Sequence, residues 1–132
     1  FEMAENLKDL YTKYNKANIS FVAPTHNEDR IKQVVENSQK FIYMVAYAGI
    51  TGSGQSEDLS KVIENVRKHT TTPLYIGFGV DEKTCEEKVK GVDGVIVGSA
   101  FVKHLIDDSL SNSEKINKIS SIAKEIKEKI NQ

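Results

Sequence analysis

Hydrophobic positions along this chain fall into two alternating kinds: short continuous apolar runs, and longer segments where apolar residues return every three or four positions. Over residues 3–14, Leu7, Leu10, Tyr11 and Tyr14 share a face while Glu5, Lys8, Asp9 and Lys13 lie elsewhere, predicting an amphipathic helix. Residues 18–23 (Asn-Ile-Ser-Phe-Val-Ala) are short, β-branched and stopped by Pro24, predicting a strand. Thr25 and Glu28 have the spacing of a capping box for a helix carrying Ile31, Val34 and Val35. Residues 41–47 form an unbroken apolar run, as expected of a parallel strand under helices. Leu59, Val62, Ile63 and Val66 mark another helix, with Ser56 as its cap and Glu57 and Asp58 in its first turn.

The same alternation continues to the end. Pro73 opens a strand over 74–78, Asp81 is placed to cap a short charged helix over 82–90, and 92–97 reads as the last strand. A helix follows over 100–107. Ser111 and Glu114 form a second capping-box pair ahead of a long helix whose apolar stripe is Ile116, Ile119, Ile122, Ala123, Ile126 and Ile130. Strands separated by helices imply parallel pairing through right-handed crossovers, giving an α/β fold with four βα units after a leading helix. The strands are expected to pair in sequence order with helices on one side only. One domain spans 1–132 on this reading, and the abrupt start on a half-apolar helix predicts a fragment.

Composition narrows the classes of function. With 39% hydrophobic and 28% charged residues and a formal charge of −1, nothing biases the chain toward nucleic acid or a membrane surface. No apolar run approaches the ~20 residues that span a bilayer, and a cytoplasmic setting is expected. The single cysteine, Cys85, excludes an intrachain disulfide, and its place in a charged helical segment predicts a packing role. No metal site is expected.

Candidate chemistry lies at the ends of the strands. Ile76-Gly77-Phe78-Gly79-Val80 and Gly94-Val95-Ile96-Val97-Gly98-Ser99-Ala100 each carry a β-branched run into glycine and then a helix, an arrangement that presents backbone N–H groups to an anion. Gly79 and Gly98 allow close approach of phosphate oxygens, and Ser99 adds a hydroxyl. Residues 48–56 (Ala-Gly-Ile-Thr-Gly-Ser-Gly-Gln-Ser) form a glycine-rich loop suited to a lid or an anion-cradling turn; a plain connector is the alternative. His26 sits in the loop after the first strand, where it either meets a ligand or simply faces water.

Taken in order, Phe21-Val22-Ala23-Pro24-Thr25, Tyr43 with Ala48-Gly49-Ile50-Thr51-Gly52, Ile76-Gly77-Phe78-Gly79, and the run from Asp93 through Gly98-Ser99-Ala100 to Lys103 resemble the second half of the tryptophan synthase alpha chain family. The likeness runs through nearly all of the chain. The last two motifs are shared by many phosphate-binding barrels, whereas the four in this order are specific. The resemblance implies the C-terminal half of a (β/α)8 TIM barrel, four parallel strands with outer helices, beginning at the helix before the fifth strand. It also implies a lyase in tryptophan biosynthesis that cleaves indole-3-glycerol phosphate to indole and glyceraldehyde 3-phosphate by a reversed aldol reaction. Carried over residue by residue, Gly52, Gly79, Gly98 and Ser99 match phosphate-binding positions. Tyr43 and Phe78 match the substrate pocket, and Thr51 matches the loop threonine that closes over it. No cofactor is implied for this chain, and the family partner is the tryptophan synthase beta chain.

Departures from the family pattern bear on activity. The glutamate and aspartate that move protons in the family lie in the first half of the barrel, outside these residues, and the strand ends here offer Pro24-Thr25, Tyr47, Gly79 and Gly98 instead. Ser53-Gly54-Gln55 lacks the arginine often found after the Thr-Gly pair, and Tyr47 stands where some members carry arginine. The isolated 132 residues are therefore expected to bind phosphate without catalysis and to self-associate through open barrel edges. Two other readings stay open. One is a non-catalytic phosphate-binding half-barrel module; the other is a different phosphate-binding TIM-barrel enzyme, such as a synthase acting on a phosphorylated sugar.

Overall fold

The structure is a computed structural model that describes residues 7–46 and 59–131. The elements, in chain order, are α1 (Lys8–Lys13), β1 (Ser20–Val22), α2 (Glu28–Glu36), β2 (Ile42–Val45) and α3 (Ser60–His69), then β3 (Leu74–Gly77), α4 (Cys85–Lys88), β4 (Gly94–Ile96), α5 (Ser99–Leu105) and α6 (Asn112–Ile130). The strands form one parallel sheet in the order β1-β2-β3-β4. The predicted strands and their order are all present; β1, β2 and β4 are trimmed at both ends and β3 only at its C-terminal end.

Register explains why one face of this sheet is dry and the other open. Val22, Met44 and Ile76 align across the first three strands, and Ile42 aligns with Leu74; all five are buried. They pack under Ile31, Val34 and Val35 of α2 and Val62 and Val66 of α3 to make the main core. Because side chains alternate between faces, Phe21, Tyr43 and Tyr75, which align with Gly94, fall on the opposite side. Phe21 there is 55% exposed. On that face Phe21 stacks on Tyr43 at 4.9 Å, and Phe41 lies 5.1 Å from Tyr75. The unbroken apolar runs thus carry two different faces, one under helices and one lined with aromatic rings.

A second, smaller core lies under the end of the chain. Val80 and Cys85 meet Ile126 of α6, with Val95, Val97, Ile122 and Ile130 packed against them. Cys85 is fully buried, in keeping with its predicted packing role. The Ser111–Glu114 capping box forms, satisfying the N–H groups of both residues. Asp93 ties strand starts together: its Oδ2 accepts from Arg67 Nη2 at 2.6 Å and from the Leu74 N–H at 2.7 Å.

Several local expectations are corrected. Asn27, not Thr25, caps α2, its Oδ1 accepting from the Arg30 N–H at 2.9 Å. The cause is a turn at Pro24-Thr25, closed by His26 N–H on the Ala23 carbonyl, which delays the helix start. The helix expected over 82–90 is regular only over Cys85–Lys88 and its N-cap position is Thr84, not Asp81; Asp81 Oδ1 instead accepts from the Lys83 and Thr84 N–H groups in the turn that leads into it. α5 starts at Ser99 rather than Ala100 and ends at Leu105. α3 begins at Ser60 with Leu59 at its N-cap position, no side-chain cap and no acidic residue in its first turn, so Ser56 is not its cap and Glu57 and Asp58 precede the helix instead of opening it. The upstream part of the first helix and the loop 48–56 lie outside the described residues.

Candidate phosphate cleft

At the C-terminal ends of β3 and β4 the chain leaves the sheet through two sharp turns. After Gly77, Phe78 takes φ +74° and Gly79 takes φ +63°, two consecutive left-handed residues. For glycine that conformation is free; for phenylalanine it costs about 1–3 kcal/mol and persists only where the surroundings impose it. After Ile96 the chain reaches Gly98, the N-cap of α5, whose carbonyl accepts from the Phe101 and Val102 N–H groups at 2.9 and 3.1 Å. The Ser99 and Ala100 N–H groups precede the first of those bonds and so have no partner within the helix.

These turns border a cleft of about 420 Å³ lined by Tyr43, Phe78, Gly79, Val80, Asp81, Ile96, Gly98, Ser99, Ala100 and Lys103. Five residues singled out from the sequence, namely Tyr43, Phe78, Gly79, Gly98 and Ser99, therefore share one cavity. Tyr43 meets Phe78 edge-on, 6.4 Å between ring centroids, and Phe78 is 58% exposed. Tyr43 also leans over Gly77, where a Cβ would overlap its ring. Among the described residues nothing lies within 4 Å of a Cβ built on Gly98, so on their side that turn opens onto the cleft. Thr51 and Gly52 lie outside the described residues. His26 is not in the cleft: its Nδ1 accepts from the Ala23 N–H at 3.4 Å, and burial together with nearby Arg30 lowers its pKa.

Two charged residues of the cleft were not singled out as ligands from the sequence. Lys103 falls one helical turn after Ser99, a spacing that puts both on one side of α5, and this was the available signal. Asp81 lines the wall, but its Oδ1 accepts from the N–H groups of Lys83 and Thr84, each at 2.9 Å. Burial pushes its pKa up, and the Lys83 N–H, the Thr84 hydroxyl and N–H, and the Lys83 charge more than offset this, holding the carboxyl below its ordinary range.

Four parallel strands in sequence order, with helices over one face and a cleft at the C-terminal strand ends, define one half of a (β/α)8 barrel. A family model described as "Tryptophan synthase alpha chain" matches residues 1–131, and the chain belongs to that family. The tryptophan synthase alpha chain of Wolinella succinogenes is 50% identical over 132 residues, which are 99% of this chain and 52% of that protein. That of Dictyoglomus turgidum is 37% identical over 110 residues, 81% of this chain and 44% of the relative. Among solved structures, tryptophan synthase subunit alpha from Campylobacter jejuni superposes with a TM-score of 0.79 at 32% identity, covering 96% of this chain and 50% of that one. An Aquifex aeolicus structure gives 0.78 at 33% identity, covering 97% and 46%. The chain spans about half the length of the curated relatives it matches.

Proposed function

We propose that this chain is the phosphate-binding second half of a tryptophan synthase alpha-chain lyase, which cleaves indole-3-glycerol phosphate to indole and glyceraldehyde 3-phosphate. The observation that carries the reading is the meeting of Gly79, Gly98 and Ser99 with Tyr43 and Phe78 in one cleft, in a chain of this family. The substrate phosphate sits against the turns at Gly79 and Gly98, taking backbone N–H groups and the Ser99 hydroxyl, while the Lys103 ammonium offsets its charge. The apolar end of the substrate lies toward the aromatic face of Tyr43 and Phe78, with Gly52 and Thr51 closing from the loop. The domain extends over residues 1–132 as a partial barrel beginning at the helix before the fifth strand.

Proton transfer in this proposal belongs to carboxylates of the other half, so the 132 residues alone bind without catalysing. Open sheet edges at β1 and β4 and the exposed apolar residues Leu10, Phe21, Leu105, Ile106 and Ile116 support a missing partner surface. The first half of the barrel fills it in the whole protein; self-association fills it in the isolated chain. The whole protein works in the cytoplasm with the beta chain as partner. None of the described helices is long and apolar enough to cross a membrane.

A binding-module reading of the same half draws on one observation. Asp81, the carboxylate that lines the cleft, is committed to the Lys83–Thr84 turn and is poorly placed to move a proton. Calorimetric titration of the chain with glycerol 3-phosphate, run beside an assay of indole release from indole-3-glycerol phosphate, tests both readings. Saturable binding without indole release is expected. No binding by a folded sample refutes the cleft assignment, and release well above background refutes the need for the other half.

A further inference from the structure

We propose that Thr84, which does not line the cleft, is a positioning residue whose hydroxyl holds Gly79 in its left-handed conformation at the phosphate wall; the proposal rests on the phosphate reading above. Thr84 Oγ1 lies 2.8 Å from the Gly79 carbonyl oxygen and 2.9 Å from Asp81 Oδ1, and its one proton serves these two acceptors. The same oxygen accepts from the Asp81 N–H at 3.0 Å. The hydroxyl therefore grips the backbone on both sides of Val80, directly after the two left-handed residues Phe78 and Gly79.

Part of this network closes the turn that leads into α4. Asp81 accepts from the Thr84 N–H while Thr84 Oγ1 accepts from the Asp81 N–H, a reciprocal pairing over residues 81–84. The bond to Gly79 is additional, because that turn has no need of a carbonyl two residues further upstream. It links the start of α4 to the cleft. The far side of the turn is fixed as well: Val80 and Cys85 pack on Ile126, and Lys129 Nζ donates to the Glu82 carbonyl at 2.6 Å. Strained backbone at Phe78 requires such over-determination, and Thr84 supplies a side-chain hydrogen bond to the backbone of the left-handed pair, where Tyr43 touches only the Phe78 ring.

The test is calorimetric titration with inorganic phosphate of the wild-type chain and the variants Thr84→Val, Thr84→Ala and Thr84→Ser, with thermal unfolding of each. Ile31→Val, in the core under α2, is the stability control. Loss of affinity by tenfold or more is expected for Thr84→Val and Thr84→Ala, with Thr84→Ser within threefold of wild type. Ile31→Val is expected to melt lower yet bind as wild type does. Affinity within twofold of wild type for whichever hydroxyl-free variant folds overturns the proposal, as does an equal loss in Ile31→Val or in Thr84→Ser. Phosphate binding absent from the wild-type chain overturns the cleft reading itself and this role with it.

Discussion

Replacing Gly77 with alanine sets the packing of the aromatic face against the backbone of β3. Tyr43 aligns with Tyr75, so Gly77 is its diagonal neighbour on the next strand, and the Tyr43 ring fills the space a Cβ there would take. The obstructing atoms are the far end of a side chain, so the ring moves rather than the strand. Rotating it away breaks the 4.9 Å stack on Phe21 and the edge contact with Phe78. At about 0.5–1.5 kcal/mol for each aromatic pair, the loss is about 2 kcal/mol. Gly77 does not have a positive φ, so alanine also restricts the unfolded chain and returns about 0.4–1 kcal/mol. The expected net cost is about 1.5 kcal/mol.

A double-mutant cycle in urea isolates the cause. With Tyr43→Ala already in place there is no ring to displace, and Gly77→Ala is expected to be neutral or stabilising by up to about 1 kcal/mol. Gly94→Ala is the comparison, since a Cβ there meets Tyr75 at 3.3 and 3.4 Å and needs only a slight shift. An equal cost for Gly77→Ala with and without the Tyr43 ring would refute the reasoning, because the penalty would then lie in the strand backbone.

Three further outcomes follow from the same geometry. Asp93 has its pKa raised by burial but lowered further by the Leu74 N–H and Arg67, so its contribution is full above the unfolded carboxylate value of about 3.9 and fades as pH falls through the lower folded value. The stability gap between wild type and Asp93→Asn, about 1 kcal/mol at neutral pH given the partial exposure of the pair, should narrow in urea titrations from pH 6 toward pH 2. Gly79→Val should abolish phosphate binding by calorimetry, since a β-branched residue is strained at φ +63° and the turn it distorts lines the cleft, whereas Ser99→Ala should cost about 1 kcal/mol of binding. Ser111→Ala removes the α6 cap and should lower unfolding stability by about 1 kcal/mol without changing phosphate affinity.

Much of this architecture is legible in the residues because one physical cause dominates each part. The parallel sheet follows from β-branched runs separated by amphipathic helices, and the cleft from glycines where strands end. The α2 cap is not legible because Thr25 and Asn27 are both good caps, and the choice between them is made by the turn at Pro24-Thr25. The left-handed Phe78 leaves no trace in sequence, since bulky residues avoid that conformation unless contacts far along the chain enforce it. Lys103 belongs to a motif legible in the sequence, yet its place beside Ser99 emerges only once α5 has a starting point.

The contact between Lys129 and the Glu82 carbonyl joins residues 47 positions apart, and Ile126 packs on Val80 and Cys85 beside it. During synthesis the strand ends that frame the cleft emerge well before the helix that backs one of them. A growing chain thus holds both glycine turns while the wall at Gly79 still lacks its rear support. If the cleft binds phosphate as proposed, a nascent chain arrested ahead of Ile126 should bind it more weakly than one in which α6 has emerged and folded.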